Sequence, residues 1–309
     1  MSRPHVVSSS ELQSLRDLEL VTRTTVEGLR QGLHRSPFHG FSAEFSQYRH
    51  YRHGDELKYV DWKAFARTDR LYTRQFRETT NLSALFVLDV SRSMNFPRGD
   101  KPSTFAHGAT ADKSGLSKFD LARQVTAILG TLVLDQGDAA GVLAVDDRAR
   151  LVPPRSGHHH LRVFLAQVGQ LAPTGEASLE DALRKAATVM KRRGLVIVVS
   201  DLYEEAEALP QVRRLRRMGH DVVVIHTLAR EELTLDVGGA AELVDLESGR
   251  SLMVQPSAVR DGYVAAVRQW LTSVHDAVTG DGIEYLRLVT GEPLEPALRR
   301  FLMRRRGRG

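Results

Sequence analysis

The 309-residue chain has no cysteine and only two tryptophans. The lack of cysteine excludes disulfides and thiolate metal sites, and it is compatible with a reducing compartment. The longest strongly apolar stretches, 82–90 and 195–199, are far shorter than the roughly 20 residues that a membrane-spanning helix needs. The first residues lack the apolar core of a signal peptide. We therefore expect a cytoplasmic protein without a membrane span.

Basic and acidic residues are nearly balanced outside one short segment. Lys and Arg total 43 and Asp and Glu total 38, which gives a formal net charge of +5. Six of the arginines lie in residues 299–309, and without them the formal charge is −1. A near-neutral body argues against binding to nucleic acid. We interpret 299–309 as a basic, solvated C-terminal tail.

Short apolar segments alternate with longer amphipathic ones from residue 82 onward. The predicted strands are 83–90, 139–145, 195–200, 221–228 and 284–289. The predicted helices are 118–135, 159–171, 179–193, 205–218, 257–278 and 293–304. This alternation predicts an α/β fold with a doubly wound, mostly parallel, Rossmann-like sheet that is covered on both faces. A pair of segments at 139–145 and 148–152 predicts a hairpin.

The predicted domain organisation has three parts. Residues 1–39 form an N-terminal helix and linker, 40–81 a small module with a strand at 71–76, and 82–309 the α/β domain. Within the α/β domain, residues 96–117 are polar and predict a long flexible loop.

The module 40–81 interleaves aromatic and charged residues. We expect Asp55, Asp61 and Arg67 to form buried or half-buried charge pairs that fix its shape. Its aromatic side chains need a surface to bury against, and we expect them to pack onto the α/β domain.

Five oxygen-bearing side chains follow predicted strands or open predicted helices. They are Asp89, Ser91, Ser93, Ser178 and Asp201. In open parallel sheets, ligands bind outside the carboxyl ends of the strands, and hard cations such as Mg²⁺ prefer oxygen ligands. Taken singly, Ser91, Ser178 and Asp201 also fit helix N-caps. Together, the five residues favour a metal site.

The segment DVSRSM, residues 89–94, resembles the metal-ion-dependent adhesion site of von Willebrand factor A domains. In that family a Thr and an Asp from two later loops complete the site, and Ser178 and Asp201 match those positions. The change from Thr to Ser keeps the hydroxyl group. The resemblance implies a von Willebrand factor A-like domain that binds Mg²⁺, or another divalent cation such as Mn²⁺ or Ca²⁺.

The N-terminal module carries a more specific resemblance. It is similar to the bacterial family called domain of unknown function 58, in which this segment directly precedes an A-type domain. The resemblance runs from about residue 40 to the end of the chain. Members of that family often occur beside MoxR-type AAA+ ATPases, which implies such an ATPase as a partner. The motifs that match are Arg49-x-Tyr51-x-x-Gly54-Asp55, Val60-Asp61-Trp62 and Ala66-Arg67.

Two functions from different classes are open at this point. The first is a non-enzymatic, metal-dependent protein–protein interaction module, in which the metal accepts an Asp or Glu from a partner protein. The resemblance makes it an adaptor or chaperone-like assembly factor that works with a MoxR-type ATPase. The alternative is a Mg²⁺-dependent hydrolase on a doubly wound fold. The loop DVSRS lacks a second Asp for aspartyl-phosphate chemistry, and the sequence has no glycine-rich phosphate loop. We therefore favour the interaction module over the hydrolase.

Overall fold

A computed structural model describes residues 9–30, 43–53, 55, 60–78, 82–97, 116–146, 148–174, 178–236 and 239–306. Most of the predicted loop 96–117, namely residues 98–115, lies outside these ranges. The same holds for residues 307–309 of the predicted tail.

The described chain alternates helices and strands. The helices are α1 (Ser9–Arg30), α2 (Trp62–Thr68), α3 (Lys118–Asp135), α4 (His158–Gln170), α5 (Leu179–Val189), α6 (Glu205–Arg217), α7 (Arg230–Thr234), α8 (Pro256–Thr279) and α9 (Leu294–Arg306). The strands are β1 (Ala43–His50), β2 (Tyr72–Glu78), β3 (Ser83–Leu88), β4 (Ala139–Val145), β5 (Ala149–Arg155), β6 (Leu195–Ser200), β7 (Asp221–Leu228), β8 (Ala241–Val244), β9 (Ser251–Val254) and β10 (Glu284–Val289).

A six-stranded sheet in the order β10-β7-β6-β3-β4-β5 forms the centre of the protein. Neighbouring strands are parallel except for the antiparallel pair β4–β5. Successive side chains of a strand point to opposite faces, so Phe86 and Leu88 pack with α1, α3, α4 and α9, whereas Leu85 and Val87 pack with α5, α6 and α8. The predicted α/β fold with a mostly parallel sheet flanked by helices, compatible with a Rossmann-like fold, is therefore confirmed.

The winding of the chain reverses at β3. From β3 the chain moves outward to β4 and β5, and it then crosses back to place β6 on the other side of β3. The carboxyl ends of β3 and β6 therefore adjoin at the reversal point, where open α/β sheets bind their ligands. Asp89 and Asp201 are the first residues after these two strands.

The first and last helices both belong to the core of this unit. Leu18, Val26 and Leu29 of α1 are buried in the same cluster as residues of α3 and α9. The guanidinium of Arg299 donates to the carbonyl of Gly28 at 2.8 Å. Every helix in the described part of the chain is too short or too polar to cross a membrane.

The prediction of a solvated tail from residue 299 is wrong for residues 299–306, which form the end of α9. This helix continues to Arg306, and the side chain of Arg305 is buried against the sheet. Arg305 donates to Glu284 at 2.8 Å and also pairs with Asp221. Carboxylates from two adjacent strands therefore fix a cation that the sequence pattern assigned to solvent.

The N-terminal module consists of the antiparallel pair β1–β2 with α2 between the two strands. Asp61 is buried and caps α2, because its Oδ1 accepts from the backbone N–H groups of Lys63 and Ala64, both at 2.9 Å. Its other oxygen accepts from the hydroxyl of Tyr48 at 3.0 Å. Asp61 therefore ties α2 to β1.

A second carboxylate ties the loop before α2 to both strands. Asp55 accepts from Arg49 at 2.7 Å and from the hydroxyl of Thr73 at 3.1 Å. A backbone hydrogen bond from Arg52 lowers the pKa of Asp55, and the bonds from Arg49 and Thr73 act in the same direction, although burial opposes them. The predicted half-buried charge pair of Asp55 is confirmed.

Two other predictions for the module are wrong. Arg67 is exposed and forms no ion pair with any residue in the described ranges. Trp62 is 57% exposed and Tyr48 is 51% exposed, so these aromatics are not packed onto the α/β domain. The physical reason is that polar contacts of Asp55 and Asp61, rather than burial of α2, hold the module together; α2 contains no buried residue.

Substitutions at Asp61 and Arg67 test this account within one helix. Asp61→Ala removes the N-cap of α2 and should lower the free energy of unfolding by about 1 kcal/mol. Arg67→Ala should change it by less than about 0.5 kcal/mol, because an exposed side chain with no ion pair to any described residue contributes little. Urea unfolding of both variants measures the difference. An equal loss in the two variants would contradict the assignment.

Candidate functional site

Asp89 is held in one orientation by the loop that follows it and by the neighbouring strand. It is buried, and its backbone N–H donates to the carbonyl of Val199 at 2.9 Å. Its Oδ1 accepts from the backbone N–H of Ser91 at 2.9 Å, and its Oδ2 accepts from the hydroxyl of Ser200 at 2.6 Å. The contacts of this carboxylate therefore come from neutral groups. Ser200 is a residue that sequence reasoning missed.

The two serines of the loop place their hydroxyl groups side by side. Ser91 Oγ lies 3.0 Å from Ser93 Oγ. Ser91 occupies the N-cap position of a 3₁₀ turn (Arg92–Asn95), but its hydroxyl makes no capping bond there. Met94 is fully buried beneath the turn, which anchors the loop to the core. The paired hydroxyl oxygens next to Asp89 form a local cluster of oxygen atoms.

Asp201 lies at the same edge of the sheet but has a cationic partner. Its Oδ2 accepts from the ammonium group of Lys118 at 2.8 Å. Its backbone carbonyl lies 2.8 Å from Nε2 of His226. Helix α6 begins only at Glu205, so Asp201 is not its N-cap. Leu202 follows with φ +53°, a left-handed conformation that costs free energy for a residue with a branched side chain.

Lys118 is the main feature of the site that sequence reasoning missed. Its side chain is completely buried and its ammonium group contacts Asp201 at 2.8 Å and Glu232 at 2.5 Å. The ring of Tyr203 lies 4.8 Å from the same nitrogen. Burial works to lower the pKa of Lys118, but Asp201 and Glu232 outweigh it and raise the pKa. In the sequence this residue looks like any lysine in the first turn of a helix.

Ser178 lies at this edge as well, but its hydroxyl has a structural role. Its backbone N–H donates to the carbonyl of Val145, at the carboxyl end of β4, at 3.3 Å. Its hydroxyl accepts from the backbone N–H of Asp181 at 3.1 Å, so the N-cap interpretation is confirmed for Ser178. Within the described residues, no hydrogen bond joins it to the other four predicted site residues.

Thr174 contacts the loop directly, and the sequence reasoning missed it. Its backbone N–H donates to the carbonyl of Val90 at 2.6 Å. Its hydroxyl oxygen is buried and has no hydrogen-bond partner in the part of the chain that the structure describes. Thr174 therefore adds a buried hydroxyl oxygen on a residue whose backbone contacts Val90, next to Ser91 in the loop.

A glutamate from a distant hairpin completes the surroundings of the loop. Glu247, between β8 and β9, accepts from the backbone N–H of Ser93 through Oε1 at 2.7 Å. The pKa of Glu204 is raised by burial and by the nearby negative charges of Glu207, Glu247 and Asp201. The negative charges of Asp201 and Glu247 are therefore both close enough to Glu204 to affect its pKa.

Negative charge is in excess around the loop. Burial raises the pKa of Asp89 to about 6, and the neighbouring charge of Asp201 adds to this effect. Burial also raises the pKa of Glu232, although Lys118 opposes it. The carboxylates are those of Asp89, Asp201, Glu204, Glu232 and Glu247, and Lys118 is the cation that contacts two of them.

The donor set decides which ion could fit. Among the described residues, no three Asp, Glu or His side chains are grouped in a way that would hold a metal without other ligands. An ion would therefore depend on hydroxyl groups and water molecules besides a carboxylate. Mg²⁺ binds in this manner, through one or two carboxylates while keeping several waters. Asp89, Ser91 and Ser93 are chemically suited to hold it directly.

Curated relatives cover nearly the whole chain but are not characterised. Uncharacterized proteins of Mycobacterium bovis and Mycobacterium tuberculosis are 28% identical over 302 residues, which is 95% of this chain and 89% of theirs.

Solved structures share a lower similarity. The conserved hypothetical protein BatB from Bacteroides thetaiotaomicron matches with a TM-score of 0.44 and 16% identity, over 74% of this chain and all of that one. The pilus adhesin SpaC from Lactobacillus rhamnosus GG matches with a TM-score of 0.44 and 8% identity, over 75% of this chain and 31% of that one.

The family comparison agrees with the resemblance of the N-terminal module. The sequence pattern of the family described as "Protein of unknown function DUF58" matches residues 47–272. The match includes β2, the central strands β3 to β7 and the loop with Asp89, and it spans well over half of the chain. This protein therefore belongs to the DUF58 family.

Proposed function

We propose that this protein is a metal-dependent protein–protein interaction module with a von Willebrand factor A-like domain. A divalent cation, Mg²⁺ in the first place, would be held by Asp89, Ser91 and Ser93. Asp201 and Ser178 would complete the site directly or through water. Such a cation supplies open coordination positions for an Asp or Glu side chain of a partner. The observation that carries the proposal is the buried carboxylate of Asp89 beside Asp201 and the paired serine hydroxyls.

The electrostatics of Asp89 support a cation at this place. Its hydrogen bonds come from a backbone amide and a hydroxyl group, and Lys118 contacts Asp201 instead. A buried carboxylate with only neutral contacts and a like charge nearby is costly to ionise. A divalent cation beside it would offset both effects.

The contacts of His226 and Lys118 argue against either group as the general base of a hydrolase. Hydrolysis would need a general base next to the metal. His226 has its two ring nitrogens 2.7 Å from the hydroxyl of Tyr285 and 2.8 Å from the carbonyl of Asp201, and burial lowers its pKa to about 4. Lys118 is held as a cation by two carboxylates. These two groups are therefore engaged in structural contacts.

The resemblance to domain of unknown function 58 suggests the partner. A MoxR-type AAA+ ATPase would dock an acidic side chain at the cation, and this protein would act with it as an adaptor or chaperone-like assembly factor. The proposal thus names a binding activity and assigns no catalytic residue.

Binding to a purified MoxR-type ATPase from the same organism tests the partner. In Mg²⁺, immobilised wild-type protein should retain the ATPase, and EDTA or Asp89→Ala should weaken binding by at least about tenfold. Asp261→Ala is the matched control, because Asp261 is an exposed carboxylate on α8. Surface plasmon resonance measures the dissociation constants. Equal affinity in Mg²⁺ and in EDTA would contradict metal dependence.

The pH dependence of stability tests the cation itself. Because the pKa of Asp89 in the folded protein is raised from 3.8 to about 6, its stabilising contribution is present at low pH and is lost as the pH rises through about 6. Metal-free wild type should therefore show a Tm that falls between about pH 4 and pH 6 and levels off at higher pH. Asp89→Asn should flatten this fall, and Mg²⁺ at pH 7 should raise the Tm of wild type but not of the variant.

Differential scanning calorimetry with and without Mg²⁺ makes this measurement. Burial also raises the pKa of Asp138 to about 6, but Asp138 is present in both proteins. The difference between wild type and Asp89→Asn therefore isolates Asp89. A Mg²⁺-dependent rise of Tm that persists in Asp89→Asn would place the ion elsewhere.

Two substitutions test whether the hydroxyl of Ser178 or that of Thr174, both in the segment before α5, is a ligand of the proposed ion. Ser178→Gly should change the free energy of unfolding by only a few tenths of a kcal/mol, because glycine is also a good N-cap. If Ser178 is a ligand, calorimetric titration should show a lower Mg²⁺ affinity for this variant. Thr174→Val is the comparison. Loss of affinity in Thr174→Val alone would transfer this ligand position to Thr174.

A further inference from the structure

We propose that Glu247 is an internal acidic ligand of the site, which occupies the place of the partner's carboxylate until a partner displaces it. The hairpin formed by β8, β9 and the turn between them would then act as a latch over the loop of Asp89. This inference rests on the proposed function and adds the regulation of the same site.

The contact that carries the inference joins two distant parts of the chain. Glu247 Oε1 lies 2.7 Å from the backbone nitrogen of Ser93, which is 154 residues away in sequence. The hydroxyl of Ser93 lies 3.0 Å from that of Ser91. The carboxylate therefore contacts the backbone of one of the two serines of the proposed site. Its other oxygen, Oε2, has no hydrogen bond to any residue within the described ranges and can face an ion.

Hydrogen bonds within the turn that carries Glu247 fix its conformation. Asp245 accepts from the backbone N–H of Glu247 at 3.0 Å and also from the hydroxyl of Ser248. Its backbone N–H donates to the carbonyl of Arg250 at 2.8 Å, and Gly249 adopts the left-handed conformation that closes the turn. These local bonds hold Glu247 at one position, so presentation of its carboxylate is a defined feature of the turn.

The remainder of the hairpin is weakly anchored. Strands β8 and β9 have four residues each and form a two-stranded sheet apart from the central one. Leu252 is 65% exposed and Met253 is 67% exposed. An isolated two-stranded hairpin is at best marginally stable, and segments with few buried apolar contacts open at low free-energy cost. The latch can therefore leave the loop without unfolding the α/β core.

The charges around the latch explain how a partner could compete. Glu247 adds a negative charge close to Glu204, which the charge of Asp201 also affects, and like charges repel each other. A cation would attract Glu247, whereas a partner carboxylate would take over the same role. The apparent affinity for a partner is the intrinsic affinity multiplied by the fraction of molecules in which the latch is open. A latch that is mostly closed therefore weakens partner binding. Removal of Glu247 should therefore expose the cation to added carboxylates.

Mn²⁺, a paramagnetic substitute for Mg²⁺, tests this inference in the full chain. Electron paramagnetic resonance of free Mn²⁺ gives its affinity, and water-proton relaxation gives the number of waters on the bound ion. The variants are Glu247→Ala, the matched control Glu242→Ala on the same hairpin, and Asp89→Ala. Acetate is added as a simple carboxylate probe.

We expect wild type and Glu242→Ala to bind Mn²⁺ with equal affinity and with the same number of bound waters. Acetate should change neither quantity in these two proteins. Glu247→Ala should bind Mn²⁺ about tenfold more weakly. The Mn²⁺ ion bound to this variant should carry one more water than in wild type, and acetate should displace that water. Unchanged affinity and hydration in Glu247→Ala would overturn the latch but leave the proposed function standing. Wild-type affinity in Asp89→Ala would instead overturn the proposed function.

Discussion

The parallel pairing of β3 with β6 is the constraint on which the site depends. It places Asp89 and Asp201 side by side at the ends of two strands that are mostly apolar and buried. Two carboxylates at this depth are unfavourable unless each has a partner, because burial penalises the charged form of both. The side chains around the two strand ends supply those partners.

The two carboxylates have different partners, and this difference gives each a different role. Lys118 neutralises Asp201 and shares its charge with Glu232, so this part of the site is complete within the chain. Asp89 contacts a hydroxyl group and a backbone amide instead. The charge that remains uncompensated is therefore located at the loop with Ser91 and Ser93, where an external cation would act.

The N-terminal module and the β8–β9 hairpin, two small elements outside the central sheet, owe their shape to polar contacts. Asp61 and Asp55 fix the N-terminal module, and Asp245 fixes the turn that carries Glu247. Exposed apolar side chains, such as Trp62 and Met253, remain on both elements. A carboxylate that bonds to backbone N–H groups specifies a turn without a core behind it. These small elements can therefore present side chains at the surface while the core stays unchanged.

The sequence by itself determined the central strands and the helices between them, because continuous apolar runs and helical periodicity arise from local pattern. It also placed Asp89 and Asp201 at strand ends. Strand β1 escaped prediction because it lacks an apolar run, and β8 and β9 escaped it because each has only four residues. Only the tertiary structure decided the partners of Lys118, Arg305 and Glu247, since these contacts join residues 21 to 154 positions apart. No local pattern distinguishes such a charged residue from one that faces water.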